Sequence, residues 1–107
     1  MMESLLAKTL NISKMVEYQS DSIISREIVR KETGTITLFA FDAGQGLSEH
    51  TAPFDAVVQI LDGEAEIFIS GEPVNAVSGE VVIMPANKPH SLKANKRFKM
   101  LLTMIKS

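Results

Sequence analysis

The chain has 107 residues, 45% of them hydrophobic and 22% charged, with a formal net charge of −2. That is enough chain for one hydrophobic core and not for two, with a composition ordinary for a soluble globular domain. The slight acidity gives no electrostatic reason to expect nucleic acid or an anionic membrane as partner, and the lack of cysteine excludes disulfides and thiolate metal sites.

The first ten residues, Met1 to Leu10, have neither a basic start nor a long apolar run and do not read as a secretory signal. No window reaches the roughly eighteen apolar residues of a membrane span. A cytoplasmic protein is the expectation. Leu5–Leu10 fits a short helix or an added edge strand equally well. Ile23–Arg30 reads as a strand, Lys31 to Gly34 as a turn, and Thr35–Phe41, rich in β-branched and aromatic residues, as the next strand. Gly44-Gln-Gly46 is glycine-rich, but no helix pattern follows it, so it does not read as a phosphate cradle. Arg26 reads as a solvated arginine.

From there the punctuation is regular. Gly63, Gly71, Gly79, Asn87 and Asn95 fall eight residues apart, each in a turn-like setting. Glycine and asparagine tolerate the positive φ that tight turns need. Between them lie short apolar or alternating runs: Val57–Leu61, Ala65–Ile69, Val81–Met84 and Phe98–Ile105. Short strands between regular turns, with no helical run among them, predict an all-β sandwich or barrel. In the last strand Phe98, Met100, Leu102 and Met104 share one parity and should be buried. Met100 and Met104 read as core or pocket wall rather than as sulfur ligands.

The two histidines each sit in a spaced frame. His50 follows Gly44 by six positions and precedes Gly63 by thirteen; His90 follows Gly79 by eleven, with Pro85 between. Both frames resemble the paired motifs of the cupin family. The first motif runs Gly, five residues, His-x-His, three or four residues, Glu, six residues, Gly. The second runs Gly, five residues, Pro-x-Gly, two residues, His, three residues, Asn. Here Ala52 stands at the second histidine and Ala56 at the glutamate, Asn87 replaces the second-motif glycine, and Ala94 replaces the closing asparagine. The resemblance implies a double-stranded β-helix, the jelly-roll barrel of cupins. It makes residues 1–107 one domain with its core at about 23–105.

In the family the first-motif ligands and the second-motif histidine hold a divalent cation such as Mn, Fe, Ni or Zn. His-x-His works because residues i and i+2 of a strand face one side. Here only His50 and His90 remain, and two imidazoles fall short of the three protein ligands usual at a catalytic zinc site. Glu49, Asp55 and Gln59 have the wrong parity to replace them. No tightly held metal and no other cofactor is therefore expected; a weakly held metal would rest on His50 and His90. The small residues that replace the ligands leave space, so a cavity is expected. Its lining is predicted as His50, Ala52, Ala56, Met84, His90, Leu92, Phe98, Met100 and Leu102.

This favours a small cupin binding a small, partly apolar organic molecule in its barrel. A metal-free acid–base enzyme, isomerase- or epimerase-like, using His50 or His90, is the first alternative. A weakly metal-dependent dioxygenase or isomerase is the second, and a non-catalytic assembly module the third. Family resemblance and apolar residues on both strand parities, as in Val57-Val58 and Leu101-Leu102, further imply a homodimer.

Overall fold

The computed structural model describes residues 4–106. Its eight strands are β1 (Ile23–Lys31), β2 (Gly34–Phe41), β3 (Gly46–His50), β4 (Asp55–Ile69), β5 (Glu72–Val77), β6 (Val81–Met84), β7 (His90–Lys93) and β8 (Phe98–Ile105). All pairings are antiparallel. β1, β2, β8, the first half of β4 and β6 form one sheet in that order. β5, the second half of β4, β7 and β3 form the other. The expected double-stranded β-helix is thus present, with β4 passing from one sheet into the other.

That passage corrects one sequence expectation. Gly63 does not reverse the chain between two short strands; it bends one fifteen-residue strand. Its φ is +77°, and it pairs with Phe98 just after the register shift at Ile60/Asp62. A Cβ here would lie 2.3 Å from the Arg97 carbonyl oxygen, so only glycine fits against β8. Gly71 does make a hairpin. Ser70 and Gly71 both have positive φ, as the two-residue turn between β4 and β5 requires. Asn95, the last member of the series, is not in the positive-φ region.

The inner faces of the sheets make the main core. Phe41, Val58, Ile60, Ala65, Ile67, Phe98 and Met100 are essentially inaccessible to solvent. Phe41 and Phe98 stack with ring centroids 4.5 Å apart, beside the bend of β4 at Gly63.

A second, smaller core lies outside the first sheet. Ile12, Met15, Val16 and Tyr18 pack over Leu38, Ala40 and Leu101. This strap is fastened by Tyr18, whose hydroxyl donates to Asp62, and by Lys99 Nζ, which donates to the Ser13 carbonyl at 2.6 Å. Burial and the Asp62 carboxylate both push the Tyr18 phenol well above its ordinary pKa. Leu5–Leu10 is neither the short helix nor the edge strand that its sequence allows; the only helical turn among the described residues is a 3-10 turn at Ile12–Lys14. Leu6 is 82% exposed, so this stretch has no core to fold against.

Candidate functional site

At the end of the barrel away from the Phe41–Phe98 stack, β3 and β7 bring the histidines together. His50 pairs directly with His90 across the ladder. They are neighbours on one sheet, not residues facing each other from opposite walls. His90 is buried at 4% exposure, while His50 stands exposed at the mouth. Their Nε2 atoms lie 3.1 Å apart and their rings meet edge to face. Each Nδ1 is held by a backbone carbonyl two residues earlier: His50 at 2.8 Å from Ser48 O, His90 at 3.2 Å from Lys88 O. Burial holds the His90 pKa below the ordinary histidine range. The Lys88 carbonyl acts the other way, and the nearby His50 charge adds a smaller depression.

Behind the pair is a cavity of about 50 Å³ lined by Leu47, His50, Ala52, Ala56, Met84, His90, Leu92, Met100, Leu102 and Met104. Eight of the nine residues expected at the site meet here. Phe98 does not. The four inward residues of β8 extend over roughly 20 Å at about 3.3 Å per residue, farther than this cavity reaches, and Phe98 lies at the far end of the strand, opposite Gly63. Met104, at the open end of the same strand, takes part instead. Leu47 is the residue that strand alternation hides. A bulge between Leu47 and His50 sets three steps on β3 against two on β7, from Leu92 to His90. That shift carries Leu47 and His50, of opposite parity, to the same cavity.

Ala56 sits between Met84 on β6 and Met104 on β8, its register partners on either side. The position of a would-be carboxylate ligand is therefore enclosed by thioethers and methyl groups. Asp55 is exposed, and its Oδ1 accepts the Ala86 N–H at 2.8 Å. Glu49 is also exposed. Among the described residues no group of three His, Asp or Glu side chains converges to hold a metal ion. The family's divalent cation does not fit this donor set. Larger hollows on the surface, such as one of about 290 Å³ beside Glu64, Glu66 and Arg97, gather no such chemistry.

A family model for the cupin domain matches residues 37–105. Among solved structures, the chain resembles a conserved protein of unknown function from Streptococcus pyogenes at 40% identity, covering 94% of this chain and 89% of that one, with a TM-score of 0.89. It resembles a cupin superfamily protein from Desulfitobacterium hafniense at 28% identity, covering 94% and 93%, with a TM-score of 0.88. A Cupin 2 conserved barrel domain protein from Leptotrichia buccalis is 39% identical with a TM-score of 0.88; the match covers 91% of this chain and 47% of that longer one. No curated protein matches the chain. With the family model spanning both histidine frames and the barrel closed as described, the chain belongs to the cupin family.

Proposed function

We propose that the barrel binds a small, partly apolar organic molecule in the cavity behind His50 and His90, without a tightly held divalent metal. The observation that carries this reading is the cavity itself. The buried His90 and the exposed His50 open onto methyl and thioether groups, at a spot where Ala52 and Ala56 leave room. Apolar walls with a few convergent polar groups are the usual make-up of a ligand site. The volume of about 50 Å³ suits a guest of only a few heavy atoms.

One observation favours acid–base chemistry as the second reading. An imidazole base needs an orienting partner, and here the Ser48 and Lys88 carbonyls hold both rings in place without a carboxylate. Methyl NMR of Leu47, Met84, Met100 and Met104 during a screen of small polar–apolar fragments tests the binding reading. Shifts confined to these residues are expected; a library that moves none of them refutes it. Turnover of a bound fragment, lost in His90→Gln, would identify an enzyme.

A further inference from the structure

Among the described residues, Thr35 Oγ1 is the one buried side-chain nitrogen or oxygen with no hydrogen-bond partner. Thr35 itself is 6% exposed. A hydroxyl offers one hydrogen and two lone pairs, and leaving all of them unpaired inside a protein is unfavourable. Valine has nearly the same shape, suits a strand equally well and carries no such cost. Packing alone gives no reason for a hydroxyl at this position.

The first sheet places that hydroxyl beside the guest site. On β2, Thr35 shares the parity of Phe39 and Phe41, which belong to the barrel core. Its partner on β8 is Met104, the partner of Met104 on β4 is Ala56, and that of Ala56 on β6 is Met84. These four residues form one row on the inner face. Met104, Ala56 and Met84 line the cavity, and Thr35 ends the row one strand beyond it. Neighbouring strands lie about 4.8 Å apart, so Met104 is the residue that stands between the hydroxyl and the space beside Ala56. On the other side, the β1 partner Arg30 is exposed and turned to Glu27 at 3.7 Å. A surface hollow of about 200 Å³ also touches Thr35, but the hydroxyl is closed to it.

We propose that Thr35 is a specificity-determining residue of the cavity, donating its hydroxyl hydrogen to an uncharged carbonyl oxygen of a short aliphatic guest. This rests on the reading of the barrel as a guest site and adds the guest's class. Met104 is half-buried, unbranched and flexible, and its side chain turns aside to join the cavity to Thr35. Methyl and thioether groups fill the rest of the row. An ionised group placed there would lose its hydration with no counter-charge, whereas a neutral carbonyl loses far less and gains the Thr35 hydrogen bond. The guest's alkyl groups lie against Ala56 and Met84. No covalent bond changes.

The test compares acetone with isobutene, which has the same shape and a methylene group in place of the oxygen. Methyl NMR of Met84, Met100 and Met104 follows the binding of each to the native protein, to Thr35→Val and to Thr35→Ser. Both guests should bind the native protein. Thr35→Val should weaken acetone relative to isobutene by about three- to tenfold, the worth of one hydrogen bond. Thr35→Ser keeps the hydroxyl and should keep the native ratio. Without guest, Thr35→Val should melt a few degrees higher, because it buries no unpaired hydroxyl. An unchanged ratio in Thr35→Val overturns the proposal and leaves the guest site standing, as does a native protein that binds isobutene but not acetone. A guest-free Thr35→Val that melts lower, or does not fold, overturns it too, since the hydroxyl would then already have its partner in the native fold. If neither guest binds, both readings fall.

Discussion

Replacing Gly63 by alanine tests how β4 builds the site. The strand lines the cavity with Ala56 in its first half and pairs with His90 through Ile69 in its second. Gly63 is the bend that lets one strand do both. Two costs follow from adding a methyl group. A φ of +77° is left-handed, which costs an alanine roughly 1–2 kcal/mol. The new Cβ would also lie 2.3 Å from the Arg97 carbonyl oxygen and 3.1 Å from Phe98 Cα, both on a backbone that cannot swing aside. Forcing β8 outward should cost a further 1–3 kcal/mol or so, the usual range for overpacking. The total, about 2–5 kcal/mol, is a large fraction of the roughly 5–15 kcal/mol of a typical domain. Gly71→Ala is the control. Its φ is +81°, but nothing lies within 4 Å of the added Cβ, so it carries the first cost alone. Urea denaturation should place the Gly63→Ala midpoint roughly 1 M or more below that of Gly71→Ala. Equal midpoints would refute the close approach of β4 and β8.

Ala52→His with Ala56→Glu should create the divalent metal site that the native donor set lacks. Zn or Ni affinity by calorimetry should rise by orders of magnitude, because the added ligands are held by the barrel; no gain would mean that positions 52 and 56 do not point at the histidines. With no guest bound, the depressed His90 pKa makes the unfolded chain bind more protons. Stability should therefore be complete above the ordinary histidine value of 6.5 and be lost as pH falls toward the lower folded value. Denaturation midpoints across about pH 8 to 5 should show this loss and show it reduced in His90→Gln. On the outer face of the first sheet, Ile83, Val57, Thr103, Ile36 and Val29 form one row across five strands. The strap covers Leu38 and Leu101 but leaves this row open, with Ile83 at 62% exposure. Light scattering should report a homodimer, and Ile83→Lys should shift it toward monomer.

The sequence shows strands most clearly where one face is fully apolar. Val81–Met84 and Phe98–Ile105 appear with the bounds that their patterns predict, and β1 and β2 differ by a single residue. β3 and β7 escape notice because they are short and mostly polar; in the ladder they form, His50 is the partner of His90. Gly63 misleads because a positive φ serves a bend as well as a reversal. The strap is illegible for another reason. Val16 and Tyr18 have no periodic pattern of their own, and their burial depends on the Leu38–Leu101 face formed by distant strands. At the site, spacing finds both histidines and the two alanines. It misses Leu47, since a bulge breaks the alternation on which such reasoning depends.

On the proposed reading of the barrel as a guest site, the cavity is kept at a cost in stability. A void of about 50 Å³ in an otherwise close-packed barrel costs on the order of 1 kcal/mol at the usual rate per unit of cavity volume. Burying the His90 ring adds the loss of its hydration, offset only by the contacts to Lys88 and His50. A core built for packing alone would fill position 56, which is 3% exposed and flanked by two flexible methionines. Ala56→Val suits a strand position and supplies roughly the missing volume. It should therefore raise the thermal midpoint of the guest-free protein by a few degrees, equivalent to about 1 kcal/mol, while ending fragment binding. A stabilised variant that no longer binds is the signature of a cavity maintained for its guest. A destabilised one would show that the methionines already occupy the space, and that the cavity is too small to serve as a site.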